Sequence, residues 1–349
     1  MEKETYHQQK TIENTLKLRE LLTELPIWLK DYFRGIEPTT ESRTRIAYAL
    51  DLHNFFEFIV ENNPSYHNTP IHQLPIELLN LVKASDIEEY LEYLKVYKKD
   101  GKTLTNNERA QKRKLSALRS MYRYYYKNEV ITENPVVLVD MPKIHDKAIV
   151  RLDVNEVAEL LDVVESGNKL TNNQKIFHEK TKVRDLALMT LLLGTGIRVS
   201  ECVGLDINDV DFNNDRIKIV RKGGYEAYVY FGDEVRDALL NYMSERKNIA
   251  AIEGHEKALF LSSRKSRISV RNVEVMVKKY SRTVTTLKKI TPHKLRSTYG
   301  TSLYQETGDI YLVADVLGHR DVNTTKKHYA AVEDERRRSA RDKVKLREK

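Results

Sequence analysis

A chain of 349 residues can hold two well-developed cores, because single cores stop growing at roughly 250 to 300 residues, so two domains are expected. Charged side chains make up 32% of it and the formal net charge is +8, which biases the surface toward a polyanionic partner. A single cysteine excludes an intrachain disulfide framework, and the most apolar run, Leu186 to Gly194, is about half of the roughly 20 residues a membrane-spanning helix needs. The N-terminal MEKETYHQQK is polar and mixed in charge with no apolar stretch behind it, so no secretory signal and no membrane partner are expected, and a cytoplasmic protein is.

From Pro26 to Val130 the pattern is helical, and Ala49, Leu52, Phe55, Phe56 and Ile59 recur at the three-to-four spacing that makes one apolar face. Ser85 followed by Glu88 has capping-box form and predicts a helix start before IEEYLEYLKVY. A further helix is expected from Thr105–Asn107. On it Leu115, Leu118, Tyr122 and Tyr125 form an apolar stripe, with Lys112, Ser116, Arg119, Arg123 and Lys127 on the other side. The window from Lys95 to Lys127 holds eleven Lys/Arg against Asp100 and Glu108, a local net of +9. Such a helix can pack inward through its Leu/Tyr face and present Lys112, Arg119, Arg123 and Lys127 to phosphates or a major groove.

Residues 134–147, NPVVLVDMPKIHDK, contain two prolines and no helical period, which predicts an extended linker and a domain boundary. Beyond it, Leu152 to Val164 and Lys182 to Leu193 read as helices. RIKIVRKGG and YEAYVYFG read as two strands joined at Gly223-Gly224. Helices are again expected over Ser269 to Tyr280, Pro292 to Glu306 and Asp309 to Leu317. The fold class is mainly α with a small antiparallel β-sheet. The tail from Val332 to Lys349 is charged and poor in apolar residues.

Chemistry concentrates in this second half. TGIRVSE sets Arg198 just after a helix-ending Thr-Gly, with Glu201 three residues on and able to orient it. A positioned guanidinium makes two parallel hydrogen bonds to phosphate, which lysine cannot reproduce. Lys222 sits at the hairpin tip beside two glycines that allow close approach to a nucleic-acid backbone, where it can protonate a leaving oxygen. Arg221 is a competing candidate. His293 and Arg296 share one face at the start of a helix. His319 follows in LGH, and ten residues later comes Tyr329. A phenol ordinarily titrates near about 10, so Tyr329 needs cations or a base beside it to become a nucleophile. Two arginines, two histidines and a tyrosine suffice to attack a phosphodiester, because protein cations can stabilise the charge that develops on phosphorus. No cofactor or metal is expected. Cys202 follows an apolar helix and reads as packing.

These boxes in this order, TGIRVSE, the lysine hairpin, HKLR, LGH and a late tyrosine, resemble the tyrosine recombinase/integrase family over nearly the whole chain. RKGG and VEVMVKKYS followed by TPHKLRST look most like Xer-type recombinases, especially the single-protein XerS-like branch. The resemblance implies a helical core-binding, DNA-binding domain over 1–140, a linker over 141–150 and a mixed α/β catalytic domain over 151–331. It implies that the tail, 332–349, docks on a neighbouring protomer. It further implies that Arg198, Lys222, His293, Arg296 and His319 surround a scissile phosphate, with Tyr329 as nucleophile. The implied protein works as a homotetramer on paired sites in double-stranded DNA, in an Xer-like role in chromosome dimer resolution. Ser297 stands after HKLR where many members have histidine, and RKGG replaces the commoner GKG. The interval from His319 to Tyr329 is one residue longer than in many Xer proteins. The alternatives are an integrase or excisionase of a mobile element, a type IB topoisomerase, and a non-catalytic DNA-binding factor that keeps the fold.

Overall fold

The computed structural model describes residues 5–67, 69–144, 150–221, 223–319 and 322. The chain divides into two compact units between residues 147 and 148.

In the first unit, α1 (Tyr6–Leu21), α2 (Leu29–Gly35), α3 (Ser42–Asn62), α4 (Leu78–Leu81) and α5 (Ala84–Tyr93) precede a hairpin of β1 (Tyr97–Lys99) and β2 (Lys102–Leu104). The helix α6 (Glu108–Lys127) follows. The apolar face read from α3 is buried as expected, with Leu52, Phe55 and Phe56 shielded from solvent against Leu115, Leu118 and Tyr122 of α6. Burying each such side chain stabilises the fold by about 1.5–3 kcal/mol. Trp28 sits edge-on to both Phe56 and Tyr125, and the Tyr125 hydroxyl donates to the Trp28 carbonyl at 2.7 Å. The tyrosines of α6 at 122 and 125 are therefore core. Asp51 and Lys114 are buried beside Asn54, which also accepts from the Tyr90 hydroxyl, so a polar cluster pins α6 to α3 and α5. Burial pushes the Asp51 carboxyl up and the Lys114 ammonium down, each opposed by the other's charge.

Two expectations for this unit change. α5 begins before Ser85, and it is the Asp86 carboxylate, accepting from the Lys83 amide at 2.9 Å, that caps it. The hairpin interrupts a stretch read as wholly helical. Asp100 and Gly101 take φ of 50° and 72°, the pair of positive angles that closes a tight two-residue turn. α6 starts where expected, capped by the Asn107 side chain.

After a 3₁₀ turn over Pro135–Leu138, the chain enters the second unit. This comprises α7 (Val154–Ser166), α8 (Asn172–Glu179), α9 (Lys182–Thr195), α10 (Val199–Gly204), β3 (Val210–Asp211), β4 (Arg216–Val220), β5 (Glu226–Tyr230), α11 (Asp233–Arg246), α12 (Val270–Val284), α13 (Pro292–Thr307) and α14 (Ile310–Leu317). The strands form one antiparallel sheet in the order β3-β4-β5, with Arg216 opposite Tyr230 and Val220 opposite Glu226. Ile217 and Ile219 of β4 are buried while the residues between them are partly exposed, the two-residue alternation of a half-buried strand.

α9 is the buried centre, packed by α7, α11 and α13. The short strand β3 and the helices α8 and α11 were not anticipated. α8 exposes Ile176 and Phe177 and faces inward through His178, whose Nδ1 lies 3.0 Å from the Tyr280 hydroxyl, so its sequence lacks an apolar stripe. Among the described residues no helix is long and apolar enough to cross a membrane.

Candidate active site

α9 ends at Gly196, whose φ of 63° turns the chain sharply; a Cβ there would strike Tyr299 of α13 and Leu317 of α14. That close packing brings the end of α9 against two helices about a hundred residues further along the chain. Arg198 follows as the cap residue of α10. The buried Glu201 carboxylate accepts from its backbone amide at 2.7 Å and from Nη1 at 2.8 Å. Glu201 is thus paired with Arg198, whose side chain stays about a third exposed.

α13 opens with Pro292 at its first position, where the missing amide hydrogen costs nothing. One turn in, Arg296 is buried at 5% exposure. Its Nη1 donates to the Gly196 carbonyl at 2.6 Å and its Nη2 to the Leu317 carbonyl. His293 lies on the same face one turn earlier and is exposed. α14 ends at Gly318, φ 62°, and the His319 amide closes the turn by donating to the Ala314 carbonyl at 2.8 Å. Arg198 Nη2 reaches the Gly318 carbonyl at 3.3 Å.

Arg198, Arg296 and the turn carrying His319 therefore meet, although they come from three separate stretches of chain. The last carbonyls of α14, otherwise orphaned, accept from guanidiniums, and positive charge there is favoured by the helix dipole. One guanidinium is buried and locked while the other is held by a carboxylate yet open to solvent. Such a pair can fix an oxyanion in place and stabilise charge that builds on it.

Lys222 and Tyr329 lie outside the described residues, as do the tail 332–349 and residues 145–149 of the linker. Arg221, weighed above only as a rival to Lys222, joins the cluster: its Nη2 donates to the Val316 carbonyl at 3.0 Å. The sequence signal for it was the arginine in RKGG. Cys202 is fully buried beside Glu201, and burial pushes its thiol well up, which fits packing.

On α6 of the other unit, Lys112, Arg123 and Lys127 are exposed. Arg119 is half-buried and donates to the Val139 carbonyl at 2.6 Å, so it also ties the helix to the chain leaving the unit.

The chain matches the phage integrase family over residues 150–336. It is 30% identical to tyrosine recombinase XerC of Caldanaerobacter subterraneus subsp. tengcongensis over 322 residues, covering 90% of this chain and 84% of that one. It is 30% identical to tyrosine recombinase XerS of Streptococcus agalactiae over 354 residues, covering 94% and 98% of the two. Its fold is similar to a crystal structure of the XerH site-specific recombinase in a post-cleavage complex with palindromic difH substrate, with a TM-score of 0.62, 19% identity, and coverage of 93% and 88%. The chain belongs to the phage integrase family, as a site-specific tyrosine recombinase of the Xer type.

Proposed function

We propose that Arg198, Lys222, His293, Arg296 and His319 surround the scissile phosphate of double-stranded DNA and that Tyr329 is the nucleophile. The observation that carries this reading is the meeting of the Arg198 and Arg296 guanidiniums on the consecutive carbonyls of Leu317 and Gly318, next to His319. In this mechanism the Tyr329 oxygen attacks phosphorus as His293 takes the phenol proton. Arg198 and Arg296 hold the charge on the non-bridging oxygens, and His319 donates a hydrogen bond to one of them. The bond from phosphorus to the 5′ oxygen breaks, and Lys222 protonates that oxygen. A 3′-phosphotyrosyl ester and a free 5′-hydroxyl result. Attack on the ester by a 5′-hydroxyl of the partner duplex restores the backbone and frees the tyrosine. One phosphoester replaces another, so the exchange needs no ATP.

The first unit serves as the core-binding domain, α6 presenting Lys112, Arg123 and Lys127 to duplex phosphates. The protein acts in the cytoplasm as a homotetramer on paired sites, with residues 332–349 docked on a neighbour. Similarity to XerC and XerS along nearly the whole of both chains supports chromosome dimer resolution as the role. Trapping the covalent complex from genomic DNA and sequencing the attached ends tests it. Ends at one chromosomal locus are expected. Ends at element termini would make the protein an integrase of a mobile element, and no attachment at all would leave a DNA-binding factor.

Replacing Lys112, Arg123 and Lys127 by glutamine is expected to weaken DNA binding and to flatten its salt dependence. In a plot of log K against log salt, the slope becomes shallower by about 0.9 for each phosphate that is no longer neutralised. Fluorescence anisotropy across a salt series measures this. An unchanged slope would mean that this face points away from DNA.

A further inference from the structure

We infer that Arg221 is a positioning residue for strand cleavage, which locks the turn bearing Lys222 onto the end of α14; the inference rests on the reading of the site given above. Arg221 closes that turn from below. Its amide donates to the Tyr225 carbonyl at 2.7 Å, and its own carbonyl accepts from the Gly224 amide at 3.0 Å. The two glycines of the turn, at φ of 92° and 83°, give the backbone little stiffness of its own. The β4–β5 ladder carries the turn, and the side chain that leaves its base adds a tether to an element outside the sheet.

That side chain crosses to α14. Nη2 takes the Val316 carbonyl, so Arg221, Arg296 and Arg198 cap Val316, Leu317 and Gly318 in succession. The guanidinium abuts Gly318, with Nη1 in the space that a Cβ on that residue would occupy. Glycine at 318 therefore serves two needs, the positive φ of the turn and the space Arg221 fills. Because His319 follows directly, one contact ties the Lys222 turn to the turn of a second site residue.

The arrangement is costly as a mere clamp. Nε and Nη1 of Arg221 are buried, and among the described residues they have no hydrogen-bond partner and no carboxylate pairs with the guanidinium. Asp315 lines the same cavity of about 440 Å³ without forming an ion pair to it. A buried unsatisfied donor is destabilising, and a residue kept only to pack would lose that cost as an apolar side chain. Its retention there fits a positional task, because the planar fork reaches the Val316 carbonyl from the base of the turn.

The test is a double-mutant cycle in the full-length protein on a nicked cognate duplex, with single-turnover covalent attachment, anisotropy and thermal melting measured on each variant. Arg221→Ala is expected to slow attachment by about 10- to 100-fold, the scale of a misplaced catalytic group, with duplex affinity nearly unchanged. In a Lys222→Ala background the same change should have almost no further effect, because the group it positions is gone. An unchanged rate in Arg221→Ala, or effects of the two changes that simply multiply, would overturn the inference. Should Arg221→Ala fail to fold, Arg221→Lys carries the test: it keeps stem and charge but not the planar fork, so slowed attachment is expected and the wild-type rate would overturn it. Absence of attachment by the wild-type protein would instead sink the reading of the site itself, and is seen in the same assay.

Discussion

Tyr329→Phe abolishes covalent attachment to a nicked cognate duplex, by on the order of 10⁴-fold or more, while leaving duplex affinity within about twofold. Only the nucleophilic oxygen is removed, and the ring is kept. The chain has twenty tyrosines, so the assignment has rivals, and the structure sorts them. Tyr242, Tyr280 and Tyr304 are buried. Burial raises the phenols of Tyr242 and Tyr280 above their ordinary value, and the nearby Asp185 carboxylate raises that of Tyr280 further. Tyr299 sits behind Gly196, its hydroxyl also made less acidic by burial. Each is a poor nucleophile where it stands. Tyr225, Tyr228, Tyr230 and Tyr311 are exposed and are the rivals that matter. Denaturing gel shifts of the covalent complex, with peptide mapping of the adduct, decide among them. Full attachment by Tyr329→Phe would move the role to one of those four.

The second unit was more legible in sequence than the first. In α9, α12 and α13 the apolar residues are numerous, and the ends are marked by Gly196, Ser269 and Pro292, so period and punctuation agree. α8 escaped because its inward face is a histidine bonded to a tyrosine, which hydropathy reads as polar. The β1–β2 hairpin escaped because its strands are short and nearly all exposed, with lysines where an apolar alternation would signal a strand. Asp100-Gly101 was the one local sign of it.

At the site, residue types and order were readable, since TGIRVSE and HKLR identify Arg198 and Arg296 by their neighbours. The partners were not. Nothing in a linear sequence says that Arg296 donates to carbonyls 100 residues before it and 21 after it, or that Arg221 rests on a glycine 97 residues away. Those contacts depend on how α9, α13 and α14 cross, which is a property of packing rather than of local pattern. Likewise the charge pattern of α6 grouped Arg119 with Lys112 and Arg123, and only the position of the Val139 carbonyl separates them.

Arg296→Lys is the second change expected to have a large effect, and it separates charge from geometry. The guanidinium bridges the Gly196 and Leu317 carbonyls through two different nitrogens, at 5% exposure. A lysine keeps the positive charge but offers one nitrogen on a flexible stem, so one carbonyl is left buried and unpaired at a cost of about 1–3 kcal/mol. Thermal melting is therefore expected to fall by a few degrees, since about 1 kcal/mol shifts the midpoint of a domain of 150 to 250 residues by about 2–4 °C. Cleavage is expected to fall further than stability alone explains, by about 10²- to 10³-fold, because the link between the end of α9 and the turn before His319 is broken and a donor is removed as well. If Arg296 supplied only charge, the lysine would cleave at nearly the wild-type rate. If it were only a structural bridge, cleavage measured well below the melting transition would recover. Persistent slow attachment in fully folded protein is the outcome that requires both roles.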